Sequence, residues 1–400
     1  MDNKNTKVFV LGIPHSLTLD PAHSPFSTCA FSTKVYYLCR MLTELGYHVV
    51  HLGNEGSKPI CTEHVSLAPA EMWHKLYGKR DVAQNYDLRE DGPNKEFIDL
   101  FTSNMRKGIQ ERMGTPYTNI ICVPWGGCQR RAVEDLPQLV VESGIGYPYS
   151  WAKYRVYESY AWYHNRMGKE GISGDAWQSV VIPNARDPEA YGPVVPREKK
   201  GNYFLMICRL NKDKGVEIAV QVCQKLGVPL KLCGQGDPSP FLGPGVTYMK
   251  PRGMEELRDT IRYAKGLFSP TRYIEPFGTI SIEALLAGTP VITTDWGCYT
   301  ETVPHGLVGY RCRTMGHFLW AAKNIDKIDP YVCREWAEKN FSLEKIKPQY
   351  HEFFQSLLKL NTSLGWNDPE DDRLDMDFLK KDFSMFGGQG QILKQRTQSF

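Results

Sequence analysis

Short apolar runs alternate with amphipathic stretches along most of this chain. Val8 to Ile13 is a continuous apolar run, as in a parallel strand buried on both faces. Thr33 to Leu45 places Val35, Leu38, Leu42 and Leu45 at helical intervals. Gly46 ends that helix and Tyr47 to Leu52 starts a second strand, which makes one βαβ unit. A helix from about Lys95 to Arg112 and strands at Thr118 to Pro124, Gln138 to Gly144 and Val180 to Asn184 complete the first half. Residues 53–92 are polar, rich in His, Pro and Gly, and show no period. Tyr147 to Trp162 is dense in aromatic residues at helical spacing, a stripe that reads first as core and second as a stacking surface.

Proline, glycine and charge dominate Ala185 to Asn202, the composition of an interdomain linker. The alternation then resumes with strands at Tyr203 to Cys208, Pro229 to Cys233, Val246 to Met249, 266–269 and from Val291. Helices at Val216 to Leu226 and Glu255 to Ala264, and one opened by Gly278 and closed by Gly288, separate these strands. Leu343 to Leu360 reads as a long terminal helix, and the segment from Trp366 as a loosely ordered tail. The pattern predicts an α/β protein of two Rossmann-like, doubly wound parallel-sheet domains, residues 1–190 and 191–342, followed by a tail, 366–400.

Composition narrows the function. With 42% apolar and 12% aromatic residues, 400 positions can bury two cores. A net charge of +3 is too small to suggest a nucleic-acid partner. No stretch reaches the roughly 18 apolar residues of a membrane span, and the N-terminus has no signal-peptide pattern. The expectation is a cytoplasmic protein. Eleven scattered cysteines without a Cys-x-x-Cys pair read as reduced small hydrophobes rather than a zinc site. The loop after the first strand lacks Gly-x-Gly-x-x-Gly, which argues against a dinucleotide-dependent oxidoreductase. Asp375-Met-Asp377 has metal-binding spacing but lies in the tail, not after a core strand, and is discounted.

The chemistry concentrates between Glu275 and Pro290. Glu283 falls about one turn into a helix whose other residues, Ile280, Ile282, Ala284, Leu285, Leu286 and Ala287, are apolar. A carboxylate there needs polar partners. The helix start at Gly278 and Thr279 offers free amides and a positive dipole end, which suits a phosphate. Arg209 and Lys214 follow an apolar strand five positions apart around a tight turn. They can grip a diphosphate as a fork and a point charge.

Glu275-Pro-Phe-Gly-Thr-Ile-Ser-Ile-Glu283-Ala-Leu-Leu-Ala-Gly-Thr-Pro290-Val-Ile closely resembles the signature of the retaining GT-B glycosyltransferases of the glycosyl transferases group 1 kind, the family 4 type related to glycogen and sucrose synthases. Leu45-Gly46-Tyr47-His48-Val49 and Pro183-Asn184 are similar to the opening and the pre-hinge segments of that family. The resemblance implies a GT-B fold, with two domains facing a cleft and helix 343–365 crossing back onto the first. It implies that Glu275 contacts the donor sugar and Glu283 the ribose. Amides at Phe277, Gly278 and Thr279 would face the sugar and diphosphate, Arg209 and Lys214 would bind the diphosphate, and Arg252 would lie against the base. Glu142, at a strand end where relatives carry a histidine, and Trp125 are the acceptor-side candidates, with a structural role for Glu142 equally open. The loop Pro14 to Ser32, with Ser27, Thr28, Cys29 and Ala30, departs from the family, which has a Gly-Gly pair there.

The reaction so implied is retaining transfer of a hexosyl group from a UDP- or GDP-sugar to a hydroxyl acceptor, without a metal or other cofactor. The acceptor class stays open among carbohydrates, lipid-linked compounds and other hydroxyl compounds, and so does peripheral contact with a membrane. Residues 53–92 would lie near the acceptor. Another GT-B enzyme, a sugar-nucleotide epimerase or phosphorylase, and a non-catalytic sugar-nucleotide-binding protein remain the alternatives.

Overall fold

Strands that are apolar on both faces have to be covered by helices on both sides, and this requirement sets the architecture. The computed structural model describes residues 3–21, 29–77, 94–171, 178–250 and 253–362. The first domain runs β1 (Lys7–Leu11), α1 (Ala30–Glu44), β2 (His48–Gly53), β3 (Glu63–Ser66), α2 (Ala70–Tyr77), α3 (Lys95–Gln110) and β4 (Ile120–Val123). It continues through α4 (Arg130–Val133), β5 (Leu139–Ile145), β6 (Tyr154–Tyr157), α5 (Tyr160–Glu170) and β7 (Ser179–Val181). The second runs β8 (Phe204–Ile207), α6 (Val216–Leu226), β9 (Leu230–Cys233), β10 (Val246–Tyr248), α7 (Met254–Arg262), β11 (Gly266–Ser269) and α8 (Thr279–Leu286). It ends with β12 (Val291–Thr294), α9 (Tyr299–Thr302), β13 (Gly309–Cys312), α10 (Met315–Asn324) and α11 (Pro330–Phe341), and α12 (Leu343–Thr362) follows.

The described strands form two parallel sheets. One has the order β3-β2-β1-β4-β5-β6-β7, the other β10-β9-β8-β11-β12-β13. In each, the strand order reverses beside the first strand, between β1 and β4 and between β8 and β11. Ligands of open α/β sheets bind in the crevice at that point, at the carboxyl ends. Those ends carry Gly12 to Ser16 and Trp125 in the first domain, and Cys208 to Lys214 and Pro270 to Gly278 in the second. The two crevices face each other across one cleft.

The chain crosses between the domains twice, side by side. Arg186 N donates to Phe341 O at 2.8 Å, and Leu343 N donates to Arg186 O at 3.1 Å. After the second crossing α12 returns to the first domain, where Ile346, Tyr350, Phe354 and Leu357 pack in one core with Val35, Leu38 and Leu42 of α1. The expected fold is therefore the observed one.

Three local expectations need correction. The aromatic stripe from Tyr147 to Trp162 is not one helix: Tyr154 and Tyr157 lie in β6, Trp162 in α5, and Tyr149 is 77% exposed in the loop before them. Residues 53–92 contain β3 and α2. Their pattern is faint because β3, at the sheet edge, is only half-buried and α2 buries little beyond Tyr77. Glu142, expected at the end of its strand, lies in the middle of β5. Ser27, Thr28, Arg252 and the tail from Trp366, with Asp375 and Asp377, lie outside the described residues. All eleven cysteines are unbridged.

Candidate active site

Two glycines shape one wall of the cleft. Gly278 caps α8 at φ +70, and a Cβ there would lie 2.7 Å from the Tyr299 ring. Gly215 turns the chain from Lys214 into α6 at φ +72, and a Cβ there would sit 2.1 Å from Pro270 O. Only glycine fits both places, so the Lys214 turn and the Glu275 loop approach each other backbone to backbone. The cleft between the domains is a cavity of about 700 Å³ lined by Arg209, Lys214, Glu275, Phe277, Gly278, Thr279 and Glu283, with Trp125 across from them.

Lys214 and Glu275 meet directly. The ammonium lies 2.7 Å from Glu275 Oε2 and also donates to the Tyr273 hydroxyl, which in turn donates to the same Oε2 at 2.5 Å. The group is mostly shielded, with 17% of the Lys214 and 14% of the Glu275 side chain exposed. Burial, and then the Glu275 charge, push the Tyr273 phenol far above its ordinary range, so it stays a donor. An ammonium has three N–H groups, and this arrangement uses two, leaving one for a phosphate oxygen. Glu275 Oε1 accepts no hydrogen bond from any described side chain and is available to a sugar hydroxyl. Arg209 is exposed to the cleft at the end of β8, beside Tyr273.

Glu283 does have the partner its apolar helix demanded. Arg186, from the linker, donates from Nε to Glu283 Oε1 at 3.0 Å, and Tyr191 hydrogen-bonds the same carboxylate. Phe277 turns its ring inward against Phe341, so only its backbone can serve the cleft. Thr279 opens the eight-residue α8, whose first amides have no partner within the helix.

Glu142 is not brought to the cleft. It is fully buried beneath the 147–152 loop, where Tyr147 Oη donates to Oε1 at 3.0 Å and the Trp151 and Ala152 amides donate to Oε2 at 2.8 and 2.9 Å. Burial pushes its carboxyl up, and the two amides pull it back. Three donors consume it, so the structural reading replaces the acceptor-side one. The carboxylate that lines the first domain's wall is instead Glu158, which pairs with Lys34 near Trp125, Trp162 and Phe31.

Sequence reasoning missed Tyr273, Arg186, Tyr191, Lys34 and Glu158. Tyr273 had a signal, because residues two apart in an extended loop share a side, and it stands two before Glu275. Arg186 had none: one arginine in a charged linker reads as surface.

The sequence profile of the family described as Glycosyl transferases group 1 matches residues 189–317. A glycogen synthase of Mycobacterium tuberculosis is 28% identical over 148 residues, 33% of this chain and 36% of that protein. An uncharacterized glycosyltransferase of Methanocaldococcus jannaschii is 26% identical over 166 residues, 37% of this chain and 40% of that protein. The match thus spans well under half the length of these curated relatives. Among solved structures, the sucrose-phosphate synthase from Thermosynechococcus elongatus superposes with a TM-score of 0.64 at 18% identity, over 88% of this chain and 99% of that one. AviGT4, a glycosyltransferase involved in avilamycin A biosynthesis, gives 0.63 at 19% identity over 88% and 98%. Anabaena HepE, solved with UDP and glucose, gives 0.58 at 13% identity over 88% and 99%. At these identities the superpositions establish the fold, and the profile match falls on the segment that carries the Glu275 loop. The chain has the GT-B fold of glycosyltransferases, and its residues 189–317 match the glycosyl transferases group 1 family.

Proposed function

We propose that this protein transfers a glycosyl group from a nucleoside diphosphate sugar to an acceptor hydroxyl, with retention at the anomeric carbon and without a metal ion. The observation that carries the reading is the convergence of Lys214, Arg209, the start of α8 and the free oxygen of Glu275 on one cleft. The cations and the helix end supply fixed positive charge where a leaving diphosphate gathers negative charge. The bond from the anomeric carbon to the β-phosphate oxygen breaks as the bond to the acceptor oxygen forms. The acceptor proton passes to the departing phosphate on the same face, so no protein base beside the acceptor is required. Glu275 orients the sugar and offsets its developing positive charge, while Glu283 takes the ribose diol. UDP bound to the superposed HepE favours a nucleotide donor.

The test is incubation with UDP- and GDP-sugars and a panel of hydroxyl acceptors, followed by NMR assignment of the product anomer. Retention, turnover in EDTA, and release of nucleoside diphosphate only when an acceptor is present support the reading. Inversion or abolition by EDTA sinks the corresponding part. Release of nucleoside diphosphate without acceptor, or donor binding without turnover, points to the alternatives.

A further inference from the structure

Helix α5 of the first domain starts with two amides that its own cap does not reach. Its cap residue, Ser159, accepts from Trp162 N at 3.1 Å. That leaves the N–H groups of Tyr160 and Ala161, the orphans of the first turn. Glu301 of the second domain takes both, its Oε2 accepting from Tyr160 at 2.9 Å and its Oε1 from Ala161 at 2.7 Å. Ser159 meanwhile donates its hydroxyl to Pro276 O at 2.6 Å. Three hydrogen bonds therefore run from one helix end across to the other domain.

The three acceptors belong to one packed unit of the second domain. Pro276 follows Glu275 in the chain, Cys298 N donates to Glu275 O at 3.4 Å, and Glu301 N donates to Cys298 O at 3.0 Å. Gly297, at φ +62, fits so closely under the loop that a Cβ would lie 3.2 Å from Glu275 N. Whatever holds Glu301 and Pro276 thus holds Glu275. On the opposite side Ser159 directly follows Glu158, which pairs with Lys34 in the cleft wall.

We infer that Glu301 and Ser159 are positioning residues that clasp the two domains across the cleft and set the Glu275 loop at its working distance from the first domain. The inference rests on the glycosyl-transfer reading above. The clasp is built to reopen: when the domains part, both amides and the carboxylate return to water, so the exchange of hydrogen bonds is nearly balanced and a ligand can tip it. Attraction between the carboxylate and the positive end of α5 favours the shut state.

The test compares full-length wild type with Glu301→Ala, Glu301→Gln and Ser159→Ala. Small-angle X-ray scattering is expected to show a larger radius of gyration for Glu301→Ala, with Glu301→Gln in between. The kcat of transfer should fall about tenfold or more in Glu301→Ala and recover partly in Glu301→Gln, while the donor KM stays within about twofold. Calorimetric titration with UDP and with GDP should show nucleotide affinity unchanged. Unchanged scattering with unchanged kcat overturns the inference, and so does a parallel loss of nucleotide affinity and melting temperature in all three variants, which marks a merely structural role. If the wild type transfers no sugar, the reaction reading fails and scattering alone decides the clasp: an expanded Glu301→Ala supports it and an unchanged one overturns it.

Discussion

Arg186 holds Glu283 from beneath the cleft, with Nε 3.0 Å from the carboxylate and only 2% of the arginine side chain exposed against 22% of its partner. Its Nη1 donates to Ala185 O at 2.8 Å, and its backbone is where the two interdomain crossings meet. A buried guanidinium without its carboxylate, or the reverse, is strongly unfavourable. Arg186→Ala and Glu283→Ala should each lower stability by about 3–5 kcal/mol. The double variant should lose about 1–3 kcal/mol less than the sum of the two. Urea unfolding of the four proteins measures this coupling, and additivity would show that the pair is not acting as one.

Lys214 and Glu275 line the cleft wall, and each keeps a hydrogen-bonding valence that its neighbours do not use, so their loss should be felt in turnover more than in folding. Lys214→Ala and Glu275→Ala are expected to lower kcat by about 10²–10³, the scale of losing one fixed electrostatic group at a reacting centre. Tyr273→Phe keeps the ring but frees Oε2 from the phenol, and should lower kcat by a smaller factor. Nucleoside diphosphate release, read beside the melting temperature, checks the three together. Normal turnover in Lys214→Ala would remove that residue from the mechanism.

Glu142 should behave in the opposite way. Glu142→Ala leaves the Tyr147 hydroxyl and two amides without their acceptor, and each buried unsatisfied group costs about 1–3 kcal/mol. The expected result is a lowered melting temperature with kcat and KM of the folded enzyme close to wild type. A selective change in acceptor KM would return Glu142 to the site.

Acid should weaken the first domain through a histidine pair. His51 is fully buried in β2, with Nδ1 2.9 Å from Nδ1 of His64 and Nε2 3.0 Å from the Thr18 hydroxyl. Burial, and then His64, hold its pKa down to about 3. In the unfolded chain the ring takes up a proton near the ordinary ~6.5, so the unfolded state binds more protons between these values. The stability contributed by neutral His51 is complete above about pH 6.5 and falls away as pH drops towards about 3. The drop in melting temperature from about pH 7 to about pH 5 should therefore be smaller in His51→Gln than in wild type. An equal drop in both would rule out His51 as its source.

Much of this was legible because it is periodic or because chemistry demands it. The α6 bounds, Val216 to Leu226, follow from helical spacing between Gly215 and Gly227, and the need of Glu283 for a partner follows from the apolar helix around it. What could not be read is which distant residue meets that need. Arg186 lies 97 positions from Glu283, and nothing in either neighbourhood names the other. Glu142 was misplaced for a related reason. That it lies in a strand was legible, but it sits in the middle of β5 rather than at its end, and the loop that folds back to donate two amides to it was not legible.

The return of α12 has a consequence for how the protein is made. Ile346, Tyr350, Phe354 and Leu357 cover the side of α1 that carries Val35, Leu38 and Leu42, yet they leave the ribosome only after the whole second domain. During synthesis that apolar face of the first half therefore waits for the end of the chain to cover it. The folding of that half finishes only when residues 343–358 emerge and dock.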